Sequence, residues 1–153
     1  MDFFYPNWIN DFWRMMGLIH FRDAQHFVVP GEKRFDRERI VAFCLAQGLG
    51  FYDTATRVCR LRDNASDDHL EIVEPTDIGA LLSRMPHCRD IVTTGGKASE
   101  EAQPQLQLSV PPIGEYTEGT AFSRTLRWWR MPSTSRAYPL KLEKKAALYA
   151  RLF

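Results

Sequence analysis

Arg127-Trp128-Trp129-Arg130-Met131-Pro132-Ser133-Thr134-Ser135-Arg136 reads as the end of a buried strand, Leu126 to Met131, that breaks into a small polar loop. Open α/β sheets place their ligand sites at such carboxyl ends. Outward from this stretch the chain alternates in the manner of an α/β domain. Arg89 to Thr94 is a second strand running through a Gly95-Gly96 turn into a helix from about Lys97 to Gln103, and Leu49 to Asp53 is a further short buried strand. The helices carry their own punctuation. Asn7 can cap a first helix with Trp8, Phe12, Met15 and Met16 on one face. Asp36 caps a second, ended by Gly48, with Ile40, Val41, Cys44 and Leu45 inward. Pro75-Thr76-Asp77 opens a third with Ile78, Leu81 and Leu82 inward. Leu140 to Phe153 closes the chain as a helix with Leu142, Ala146 and Tyr149 on its inner side. The segments 21–34 and 57–68 read as loops, and Leu106 to Phe122, rich in Pro and Gly, as irregular or edge-strand structure. The fold class expected is α/β, a three-layer α/β/α sandwich with a short, mostly parallel central sheet.

At 153 residues and 44% hydrophobic content the chain is long enough for a single core, so one domain over 1–153 is expected. Net charge is +1, which excludes a polycation. Its distribution is uneven: Arg124, Arg127, Arg130, Arg136, Lys141, Lys144, Lys145 and Arg151 face Glu143 alone after residue 123. That face either attracts phosphate or is simply a solvated helix surface. Cys44, Cys59 and Cys88 are odd in number and lack C-x-x-C spacing, so no disulfide framework is expected and a reducing, cytoplasmic compartment fits. No apolar run approaches a membrane span, and His20, His26, His69 and His87 have no metal-ligand spacing. A soluble monomer without membrane, metal or cofactor is the expectation.

Two further stretches carry chemistry. Phe4-Tyr5-Pro6-Asn7 sets aromatics beside carboxamides, an arrangement that either staples and caps a helix or stacks on a planar base. The glycines at Gly95-Gly96, with Lys97, either make a tight turn or let backbone N–H groups approach an anion. Walker, dinucleotide and Ser-His-Asp signatures are absent. In a parallel sheet the three strand ends, at Asp53-Thr54, Thr94 to Lys97 and Pro132 to Arg136, would line one cleft of hydroxyls, amides and cations suited to an anionic ligand.

In their order and spacing, Phe4 to Trp13, Tyr52 to Thr56, Ile91 to Ala98 and Met131 to Arg136 together resemble the uracil-DNA glycosylase superfamily, nearest its bacterial mismatch-specific uracil and hypoxanthine branch. The resemblance implies a base-excision repair enzyme that flips a damaged base from DNA and hydrolyses its N-glycosidic bond, without metal or redox cofactor. It places Asn10, the asparagine of an Asn-x-Phe-Trp segment, in catalysis, and Phe4, Tyr5, Asn7 and Asp53 at the extruded base. It assigns Gly95, Gly96, Lys97, Arg130, Pro132, Ser133, Thr134, Ser135, Arg136 and Lys141 to the damaged DNA. Flipping costs a few kcal/mol, which stacking at about 1–3 kcal/mol per base partly offsets. The chain departs from the family in beginning just before the aromatic turn, without the strand and Gly-x-x-Pro loop that precede it there. The expectation is therefore an amino-terminally truncated family member. A non-catalytic nucleic-acid-binding domain and a small-molecule-binding α/β domain are the alternatives.

Overall fold

A computed structural model describes residues 4–52, 55–60 and 70–153, with the backbone alone for 55–60 and 70–75. The fold is α/β, with five α-helices and five strands among the described residues. The chain divides into two compact units, Met1–Phe51 with Ser133–Phe153, and Tyr52–Pro132. No helix among the described residues is long and apolar enough to cross a membrane.

The first unit is helical. Helix α1 spans Phe12–Phe21, four residues later than a cap at Asn7 requires. The delay has a local cause: the Asn7 Oδ1 accepts the Ile9 N–H at 3.1 Å and the Asn10 Oδ1 accepts the Phe12 N–H at 2.9 Å. Each amide closes a turn of its own, so the backbone does not coil until Phe12. Trp8 consequently leaves the helix face, and the buried stripe is Phe12, Trp13, Met15 and Met16. Gly17 allows the chain after α1 to fold back, because a Cβ there would strike the Asp23 carbonyl oxygen.

Helix α2, Arg37–Gln47, is bounded as its sequence dictates. The Asp36 carboxylate accepts the Arg39 N–H at 3.2 Å, and Gly48 closes the helix at φ 68. Its inward face differs from expectation. Ile40 and Phe43 are buried, whereas Leu45 is 79% exposed. Phe43 sets this rotation by meeting Phe27 at 5.2 Å and Trp13 edge-on at 6.4 Å. Helix α5, Leu142–Tyr149, passes into a 3-10 turn over Ala150–Leu152 and buries Ala146 and Tyr149, together with Lys145.

His20 sits at the end of α1 with Phe153 at 4.5 Å and Phe43 at 4.9 Å, both rings edge-on. Its Nε2 is buried and has no hydrogen-bond partner among the described residues. Burial lowers its pKa. Because the unfolded chain then binds more protons below about pH 6.5, stability is complete above that pH and declines as pH falls toward the folded value. The unfolding midpoint in urea should drop between pH 7 and pH 5, and His20→Phe should flatten that dependence.

The second unit holds the strands. Strand β1, Ala55–Arg60, pairs antiparallel with β2, Leu70–Pro75, in a register that sets Val58 against Ile72. A loop is expected over the first part of this hairpin. The alternating Thr56 and Val58 suit a strand once a partner is present. Pro75 ends β2 rather than opening helix α3, Ile78–Ser83, which begins where the Asp77 carboxylate accepts the Ala80 N–H at 3.0 Å.

Strands β3, Asp90–Thr94, β4, Glu115–Ala121, and β5, Arg124–Met131, form a three-stranded sheet in the order β3-β5-β4. The sheet is mixed rather than mostly parallel: β3 runs parallel to β5 with Thr94 opposite Met131, and β4 runs antiparallel to it. The β4–β5 connection, Phe122-Ser123, has both residues at positive φ, a tight hairpin geometry that forces antiparallel pairing. Helix α4 spans Gly96–Leu106. Leu82, Ala102, Leu106, Ala121, Leu126 and Trp128 form the core of this unit.

The strand expected over Leu49–Asp53 does not form across its described part, 49–52. The Leu49 N–H turns back to the Cys44 carbonyl at 3.0 Å, and the Phe51 ring joins the aromatic cluster of the first unit. Both commitments take the segment away from a sheet. Asp53 and Thr54 lie outside the described residues.

Candidate functional site

In the first unit the aromatic turn before α1 and the hydroxyl loop before α5 are joined. Asn10 and Ser135 form an antiparallel bridge, the Asp11 N–H donates to the Thr134 carbonyl at 2.9 Å, and the Arg136 N–H to the Ile9 carbonyl at 3.4 Å. A charge cluster underlies this seam. The Asp11 carboxylate is met by Arg136 Nε at 3.2 Å, Lys145 Nζ at 3.4 Å and Arg14 at 3.5 Å. Lys145, 1% exposed, also donates to the Ser135 carbonyl at 2.9 Å. Arg14 donates to the Trp8 and Asn10 carbonyls and lies 4.3 Å from the Trp8 ring centroid.

One carboxylate facing three cations leaves positive charge unbalanced within the cluster. Burial lowers the Arg14 pKa, as does the nearby Arg136, while Asp11 opposes both. Arg136 is exposed and its side chain half accessible, so the surplus reaches solvent at the hydroxyl loop. An anion is the ligand that such a field attracts.

Every sequence-derived site residue but Asp53 can be placed. Phe4 stacks on Phe51 at 5.6 Å, and Tyr5, at a φ of 56, stacks on Phe12 at 4.5 Å. A bulky residue in the left-handed region costs of order 1 kcal/mol and is held there by its surroundings. Asn7 is exposed with its oxygen engaged in its own turn. The Asn10 oxygen is pinned by Phe12, and among the described residues its amide nitrogen donates to no protein group.

In the loop, Ser133 Oγ accepts the Ser135 N–H and Ser135 Oγ accepts the Ala137 N–H, both at 3.2 Å. These hydroxyls first shape the loop, and each keeps a proton to donate. Thr134 is 2% exposed and Pro132 is buried, so their side chains turn into the protein and the loop offers solvent its Ser133 and Ser135 side chains instead. Lys141 is exposed at the start of α5.

The second unit holds Gly95, Gly96, Lys97 and Arg130. Two of the three expected strand ends, after Thr94 and after Met131, leave the same sheet edge. Gly95 is committed: its N–H donates to the Met131 carbonyl at 3.0 Å, and its carbonyl accepts from Ser99 Oγ at 3.2 Å. This corrects the expectation that its amide approaches an anion. Gly96 is open above its Cα, and Lys97 pairs with Glu101 at 4.0 Å. Beneath the turn runs a buried chain in which Trp128 Nε1 donates to Thr93 Oγ1 at 3.0 Å and Thr93 meets Ser99 Oγ at 3.0 Å. Arg130 is half-buried on β5. Asp53 lies outside the described residues.

Sequence reasoning missed Asp11, Arg14 and Lys145. Their signal is a charge in register with apolar neighbours: Lys145 lies three residues after Leu142 and four before Tyr149 on one helix face. Among the described residues no group of three or more His, Cys, Asp or Glu side chains could hold a metal ion. Compared with family models, curated proteins and solved structures, the chain matches none.

Proposed function

We propose that the chain is a DNA glycosylase of the uracil or hypoxanthine type, on a three-layer α/β/α arrangement, acting on damaged DNA as a cytoplasmic monomer without metal or redox cofactor. The observation that carries this reading is the join between the asparagine turn and a hydroxyl loop above an unbalanced cationic cluster. Phosphates of the DNA backbone are the anions that Arg136 and the Ser133 and Ser135 hydroxyls suit, while the Asn10 amide has a donor left for the base or the attacking water. In the reaction the sugar–base C–N bond breaks, a water oxygen bonds to the sugar carbon, and the base departs as an anion that is then protonated. Positive potential and fixed donors favour that departure.

A second reading, nucleic-acid binding without cleavage, draws support from the Phe4 and Tyr5 rings, which stack inside the protein. One assay separates the two. Purified protein is incubated with duplexes carrying a single uracil or hypoxanthine, and abasic product is scored by alkaline cleavage. Excision is expected, with Asn10→Ala lowering its rate about 100-fold or more. Salt-dependent binding without product would leave the second reading. Absence of both would remove the two together.

A further inference from the structure

We propose that Lys145 and Asp11 form a positioning latch, in which the buried ammonium holds the Ser135 carbonyl and the Asp11 carboxylate together and thereby sets the hydroxyl loop against Asn10. Four observations converge on it. Lys145 is 1% exposed, a position lysine occupies only when paired. Its nitrogen has two acceptors from two chain segments, Ser135 at 2.9 Å and Asp11 at 3.4 Å. Ser135 is itself the residue that bridges Asn10. Asp11 directly follows Asn10, and its own N–H reaches Thr134.

Fold stability alone does not call for this lysine. An apolar side chain of the same length would fill its place beside Ala146 and Tyr149 without desolvating a charge, and replacing buried ion pairs by packed apolar groups is often neutral or stabilising. What an apolar side chain cannot do is fix the Ser135 carbonyl. Nor does Asp11 lack other partners, since Arg14 and Arg136 already meet it. The ammonium is therefore placed for register, adding a buried, charge-assisted tie beneath the backbone bonds that join the two loops. The effect on catalysis rests on the glycosylase reading; the latch itself does not.

The test is amide hydrogen exchange on intact protein. In Lys145→Met the Asp11 and Arg136 amides should exchange about tenfold faster or more, the worth of one charge-assisted hydrogen bond, while the Met15 and Ile40 amides change less than about twofold. Equal acceleration of all four, or of none, would overturn the latch. Should this variant fail to fold, wild-type exchange under rising urea decides instead. Asp11 and Arg136 should then open in one step below that of Ile40, and independent opening of the two would count against the proposal. On a uracil duplex, Lys145→Met should lower single-turnover excision about tenfold with duplex affinity within about twofold. Loss of affinity in proportion would assign Lys145 to DNA binding instead. If the wild-type chain excises nothing, the functional reading falls while the exchange result still judges the latch.

Discussion

Asp11→Ala should destabilise the protein by about 3–5 kcal/mol, the cost of removing one partner from a buried ion cluster. The carboxylate is 8% exposed and is the acceptor shared by Arg14, Arg136 and Lys145. Without it the buried Lys145 keeps only the Ser135 carbonyl, and Arg14 keeps the Trp8 and Asn10 carbonyls. Carbonyl dipoles do not neutralise two ammonium-type charges away from water. Arg136 loses less, because its half-accessible side chain is hydrated already. Domains of this size are stable by about 5–15 kcal/mol, so the variant should lose a large part of that margin. Urea unfolding followed by circular dichroism checks the magnitude, and a change below about 1 kcal/mol would show that the cluster is dispensable. Asp11→Asn, which keeps the shape and one acceptor oxygen, should cost less.

Trp128→Ala should cost the second unit about 3–5 kcal/mol. Trp128 is fully buried at the centre of the cluster with Leu82, Ala102, Leu106 and Leu126. Its removal opens a cavity between β5 and the helices of that unit, where backbone on both sides limits collapse. It also removes the donor to Thr93 Oγ1, the start of the buried chain through Ser99 to the Gly95 carbonyl. Trp128→Phe restores most of the volume but not the donor. It should therefore cost about 1–3 kcal/mol, with the turn at Gly95 as the region whose amide protection falls most. If Trp128→Phe matches wild type, the hydroxyl chain adds nothing beyond packing.

The local elements were legible because their causes are local. Asp36 and Gly48 bound α2 within their own turns, and the β-branched and aromatic run ending at Met131 makes a strand on its propensity alone. The Ser-Thr-Ser loop and the asparagine turn were equally visible as chemistry. By contrast, the rotation of α2 was set by Phe27 and Trp13, residues distant in sequence, and α1 began late because two asparagine side chains took the backbone donors first.

What the sequence by itself determined is the α/β alternation, the bounds of the Asp36-capped helix and the candidate stretches at Phe4–Trp13, Gly95–Lys97 and Pro132–Arg136. Tertiary structure alone decided that the first and third of these are drawn together through Asp11, 134 residues from Lys145, and that Gly95 spends its amide on Met131. The physical reason is that a charge pattern fixes no partner. A lysine on an apolar helix face reads as a solvated residue until folding excludes water from it, and only then does the Asp11 carboxylate, 3.4 Å away, become the group that determines where two loops lie.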